Sequence, residues 1–154
     1  MGLFLFGNYL EQWVMFMHIM TSGIALNKKE MKIIAIGDIH GRTIWKEIVQ
    51  NETFDKIVFV GDYFDSLNID PVKQIENFND IIAFKASNID KVVLLLGNHD
   101  YHYLPYIYET YSGFKQMQKF VIDDLLDNAI KNNYIQICYA HEYLLFSHAG
   151  ITNT

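Results

Sequence analysis

Three short apolar runs recur along the chain, and each leads directly into a glycine and a polar cluster. They are Ile33-Ile34-Ala35-Ile36, Ile57-Val58-Phe59-Val60 and Val92-Val93-Leu94-Leu95-Leu96. Continuous branched and aliphatic runs of this length suit strands buried on both faces of a parallel sheet. Between the first two, Ile44, Trp45, Ile48 and Val49 recur at helical spacing over residues 43–49. Between the second and third, Asp70-Pro71 opens another helix, since aspartate suits the N-cap and proline the first helical position. Ile75, Phe78, Ile81, Ile82 and Lys85 carry its inner face toward Ala86. Strands alternating with helices predict an α/β domain with parallel pairing and right-handed crossovers.

Beyond Asp100 the pattern loosens. Residues 101–111 hold five tyrosines and a proline. They read first as a semi-buried aromatic cap, or else as a wall beside the site on which a base or sugar could stack. Residues 113–132 read as one helix with Phe114, Met117, Phe120, Val121, Leu125, Leu126 and Ile130 inward. Residues 134–140 and 143–147 read as a hairpin around His141-Glu142, ending in Ser147-His148-Ala149-Gly150. Cys138 is expected to be buried in its first strand.

The first thirty residues differ. Up to Asn27 the only charged side chain is Glu11, and Trp13 to Met20 is strongly apolar. A membrane-spanning helix needs about 20 apolar residues; here Asn8, Glu11, Gln12 and His18 interrupt the run. No positive charge precedes it, as a secretory signal would require. Three readings stay open: a non-native or dispensable extension ahead of Met31, a helix packed on the domain or a partner, or a membrane anchor. The first is favoured, and membrane contact through residues 1–30 is not. The domain proper is drawn at residues 31–154.

Half of the 154 residues are hydrophobic (51%), which excludes a disordered chain. The net charge is −6, with no basic cluster beyond Lys28-Lys29. That argues against binding nucleic acid through its backbone charge, and suits carboxylates that need a cation. The single cysteine excludes an internal disulfide and a cysteine-based zinc site. A reducing, cytoplasmic setting is the simplest expectation.

The polar clusters lie at the carboxyl ends of the predicted strands, where open α/β sheets place their sites. They read Gly37-Asp38-Ile39-His40-Gly41, Gly61-Asp62-Tyr63-Phe64-Asp65 and Gly97-Asn98-His99-Asp100. Two divalent cations can clamp an in-line displacement at phosphorus, given one carboxylate that touches both. Asp62 is the candidate bridge. Asp38 and His40, two residues apart, could grip one ion from one side. Asn98 offers a neutral oxygen to the second, and His148 an imidazole from far along the chain. His99 has a pKa range suited to a general acid, and Asp65 could orient it and keep it protonated. His102 reads as a surface or packing histidine, and His141 as part of a solvated turn.

Taken in order, these blocks and His148-Ala149-Gly150 resemble the calcineurin-like metallophosphoesterase superfamily. That superfamily includes phosphoprotein phosphatases, nucleotide-cleaving phosphodiesterases and DNA-repair nucleases. The resemblance runs from Met31 to the C-terminus, and Gly97 to Asp100 is its most specific part. It implies a layered β-sandwich flanked by helices and a dinuclear centre of manganese, iron or zinc. It also implies hydrolysis of phosphate mono- or diesters by a hydroxide bridging two metals. A further Gly-His block of the family would fall beyond Thr154, so the domain is expected to be incomplete at its C-terminus. The arginines of the phosphoprotein-phosphatase branch are replaced by Ser66 and Leu96. Arg42 and Asn98 remain as candidate phosphate contacts. The expected partner is a phosphorylated substrate, with nucleotide, phosphoprotein and nucleic acid all open. The rival expectations are a metal- or phosphate-binding fragment without turnover, one half of a split enzyme, and a membrane-tethered interaction protein.

Overall fold

In the computed structural model, residues 31–150 are described in full, and residues 2–9 and 12–19 as backbone strands. The apolar N-terminal segment forms two strands, β1 (Gly2–Tyr9) and β2 (Gln12–Ile19), paired antiparallel to each other. The helix entertained for this segment is thereby corrected. Its aromatic and branched residues favour extended backbone, and β2 finds a partner edge in β3 (Met31–Ile36). The expectations that concern residues 20–30 and 151–154 lie outside the described residues. Among the described residues, no helix is long and apolar enough to cross a membrane.

From β3 onward the predicted alternation holds. Helix α1 (Ile44–Asn51) buries Trp45 and Ile48. Strand β4 (Lys56–Phe59) then pairs parallel to β3. Helix α2 (Pro71–Ser87) starts as expected, with the Asp70 carboxylate accepting the Val72 N–H at 2.8 Å and Pro71 in the first turn. Strand β5 (Val92–Leu95) pairs parallel to β4 and leads into a single turn, α3 (Asn98–Tyr101).

The helix expected over residues 113–132 is shorter. A 3-10 turn at Gln116–Gln118 precedes α4 (Lys119–Lys131). Its inward positions are Ile122, Leu126 and Ala129. Met117 and Phe120 are 98% and 84% exposed, and Val121 and Ile130 also face out. The apolar residues of this stretch span more than one helical face, and the spacing of Ile122, Leu126 and Ala129 selects which face packs.

The expected hairpin is also displaced. Strand β6 (Ile135–Gln136) joins the main sheet, parallel to β5. The chain leaves that sheet at the exposed Ile137. Only then do β7 (Cys138–His141) and β8 (Leu144–Ser147) form an antiparallel pair, turning at Glu142 with φ of 52°. Cys138 is exposed, not buried.

The main sheet has the order β1-β2-β3-β4-β5-β6, and β7-β8 make a second, small sheet. On one face of β3–β5, Ile34, Ile36, Ile57, Phe59, Val92 and Leu94 pack against helix residues such as Trp45, Phe78, Ile81 and Leu126. On the other, Ile33, Ala35, Val58, Val93 and Leu95 pack against Phe146, with Tyr139 and Leu144 beside it. This two-sided burial explains why the strands read as unbroken apolar runs. It yields an α/β arrangement with helices on one face and a two-stranded sheet on the other.

Candidate metal centre

The loops that leave β3 and β4 are bent into conformations that ordinary side chains avoid. Asp38, His40, Asp62 and Asp65 have φ of 51°, 41°, 58° and 69°. Each left-handed residue of this kind costs roughly 1 kcal/mol or more, and such strain persists only where surroundings over-determine it. Here the two loops are bonded to each other: His40 N–H donates to the Asp62 carbonyl at 2.6 Å, and Gly41 N–H to the Tyr63 carbonyl at 3.0 Å.

The loop after β5 closes against both. A Cβ at Gly97 would lie 2.2 Å from Asp62 Oδ1, so glycine is what lets the carboxylate seat there. Asp100, fully buried, accepts the N–H groups of Asp62, Tyr63 and Gly97, each at 2.8 Å. Burial pushes its carboxyl up to about 7, with the negative charge of Asp62 adding to the rise and the backbone donors opposing it.

Asp62 stands at the middle of the cluster and is 4% exposed. Its Oδ1 accepts the His99 N–H at 3.0 Å. Its Oδ2 lies 3.7 Å from His40 Nε2 and 3.4 Å from His148 Nε2. Both histidines are held from behind, with Nδ1 of His40 on the Phe64 carbonyl and Nδ1 of His148 on the Val60 carbonyl at 2.8 Å. A proton on Nδ1 leaves Nε2 with its lone pair toward Asp62, the orientation that metal-ligating histidines adopt.

Asn98 Oδ1 lies 2.8 Å from His148 Nε2. With the histidine neutral, two lone pairs face each other, and a positive charge between them removes the repulsion. The donor set is imidazole nitrogen, carboxylate and amide oxygen, which suits a divalent transition metal. Donor atoms of His40, Asp62 and His99 converge within 4.8 Å of one another, as do those of Asp38, Asp62 and His148. Asp62 is common to both sets. Asp38 and His40 fall in different sets, unlike the expected pair. The same-side rule for residues two apart assumes extended backbone, and here both residues are left-handed.

His99 meets Asp65 as anticipated, with Nδ1 3.0 Å from Oδ2. Two residues assigned no catalytic role from sequence also reach Asp65. Nε2 of His102 lies 2.7 Å from Oδ2, and the Tyr103 hydroxyl donates to Oδ1 at 2.5 Å. His102 is 1% exposed, a packing residue and not a surface one. Burial lowers its pKa despite the opposing pull of Asp65. Burial, then the bond to Asp65, raises that of Tyr103. Asp100 is a structural residue that the sequence pattern marks only by its place in the third block, beside Asn98 and His99.

The tyrosine segment divides. Tyr103 is buried, Tyr106 and Tyr108 are about nine-tenths exposed (89% and 91%), and the half-exposed ring of Tyr111 lies 5.8 Å from that of His99. Arg42 donates from Nη1 to the Asp38 carbonyl at 2.9 Å. It lines a cleft between α1 and α2 that includes none of the candidate ligands. An apolar cleft of about 650 Å³, lined by Leu96, Tyr101, Leu104, Ile130 and Ile135, opens beside Asn98 and His148.

A family model described as calcineurin-like phosphoesterase matches residues 31–154. No curated protein and no solved structure matches the chain.

Proposed function

Since the chain belongs to the calcineurin-like phosphoesterase family, we propose that it is a metal-dependent hydrolase of phosphate mono- or diesters. The observation that carries this reading is the shared position of Asp62, whose carboxylate belongs to two of the three converging donor sets, the third being Asp65, His99 and His102. Asp38, His40, Asp62, Asn98 and His148 would hold two divalent cations, of manganese, iron or zinc. When bound, such ions withdraw charge from phosphoryl oxygens and acidify water.

The protein's own groups do the rest. The Phe64 and Val60 carbonyls aim the two histidine ligands. Asp62 is kept in place by the His99 N–H and by the absence of a side chain at Gly97. His99, with Nδ1 on Asp65, has Nε2 left to give a proton to the departing oxygen. The half-exposed Tyr111 ring beside His99 offers the leaving group a flat apolar contact.

The test is hydrolysis of aryl phosphate mono- and diesters with added manganese, comparing the parent chain with Asp62→Asn and His99→Ala. Turnover by the parent and a loss of about 100-fold or more in each variant support the reading. A parent that matches both variants sinks the site assignment. A parent that binds manganese without turnover points instead to a binding module.

A further inference from the structure

The Asp65 carboxylate has more partners than a simple pairing with His99 requires, and they come from one short stretch. We infer that His102 and Tyr103 are positioning residues, which fix both oxygens of Asp65 so that His99 presents its free ring nitrogen to the leaving group. The inference rests on the phosphoesterase reading above.

The Asp65 side chain is 1% exposed. A carboxylate at that depth is costly unless its oxygens are satisfied. Oδ2 lies between His99 Nδ1 at 3.0 Å and His102 Nε2 at 2.7 Å, while Oδ1 takes the Tyr103 hydroxyl at 2.5 Å. Neither partner is free to turn away. Nδ1 of His102 accepts the Tyr111 N–H at 3.0 Å. The neutral ring therefore carries its proton on Nε2, which lies 2.7 Å from Asp65 Oδ2 and makes no well-aligned hydrogen bond to any other group. The Tyr103 oxygen accepts the Lys115 N–H at 3.1 Å, which directs its own proton to Asp65. The backbone at 111 and 115 thus sets the orientation of both donors, and they set that of the carboxylate.

The ring packing agrees. His102 sits edge-on to Tyr103, 4.4 Å between centroids, and Tyr103 stacks on Phe114 at 5.1 Å. A network made for folding alone would stabilise the loop and affect every substrate alike. A positioning network acts through His99, so it affects most the substrates whose leaving oxygen most needs a proton.

The test uses the full chain with manganese and two substrates. Phenyl phosphate has a basic leaving group, and para-nitrophenyl phosphate one that departs readily without a proton. Tyr103→Phe keeps the stacked ring and removes the hydroxyl. It should lower kcat on phenyl phosphate about tenfold and on para-nitrophenyl phosphate less than about twofold, with KM unchanged. In a His99→Ala background the same substitution should change nothing, because residues that act as a unit are not additive. His102→Gln, which retains a side-chain N–H for Asp65, should keep most of the activity that His102→Leu loses. Equal losses on both substrates, or losses that add to that of His99→Ala, overturn the inference while the phosphoesterase reading stands. An inert parent overturns the reading itself, and this with it.

Discussion

Against the helix-covered face of the main sheet, where Trp45, Phe59, Phe78, Ile81 and Leu126 join one buried cluster, the opposite face carries a smaller cluster of the described residues. Of the hairpin residues that cover it, Phe146 alone among those described is fully buried. The candidate ligands divide along the same line. Asp38, His40, Asp62 and Asn98 stand on or beside loops that leave the well-packed strands. His148 arrives from the lightly held hairpin, secured by the Val60 carbonyl and by Phe146 two residues before it. One side of the site is thus built into the fold, and the other is brought to it.

The strongest challenge to that contrast is Asp100→Ala. It strips the acceptor from three backbone N–H groups at the firm side. Each buried unsatisfied donor costs about 1–3 kcal/mol, so urea denaturation should show a loss on the order of 4 kcal/mol. A loss below about 1 kcal/mol would mean that the loops are held by something else.

A paired truncation sharpens it. Phe78→Ala, under the helices, should destabilise by about 4 kcal/mol. Phe146→Ala should cost about 2 kcal/mol, since fewer neighbours surround its cavity, yet it should weaken manganese binding more than Phe78→Ala does. Calorimetric titration of variants that remain folded decides this; equal affinities would detach His148 from the hairpin's packing.

The smallest effect belongs to the outer face of α4. Phe120→Ser should change stability by less than about 0.5 kcal/mol, because the ring is 84% exposed. Leu126→Ala should cost about 3 kcal/mol. Thermal unfolding of the two variants side by side measures the difference.

That last pair also marks how far the pattern of the chain could be read. The parallel strands and α2 were legible, because doubly buried strands and an Asp-Pro helix start leave plain signals in composition. The phase of α4 was not, since its apolar residues outnumber the positions the core can accept. Nor was the departure at Ile137, where one apolar run divides between two sheets. Within the site, residues placed at strand ends were legible. The roles of Asp100, His102 and Tyr103 were not, because a side chain that serves another loop's backbone or carboxylate leaves no periodicity. The left-handed backbone of Asp38, His40, Asp62 and Asp65 is equally silent in sequence.

The three bonds to Asp100 carry one more consequence. They tie the start of the loop after β4 to the start of the loop after β5 through a single side chain. The amide protons of Asp62, Tyr63 and Gly97 should therefore exchange with solvent through one shared opening, with the two loops breathing as a single body despite their separation along the chain.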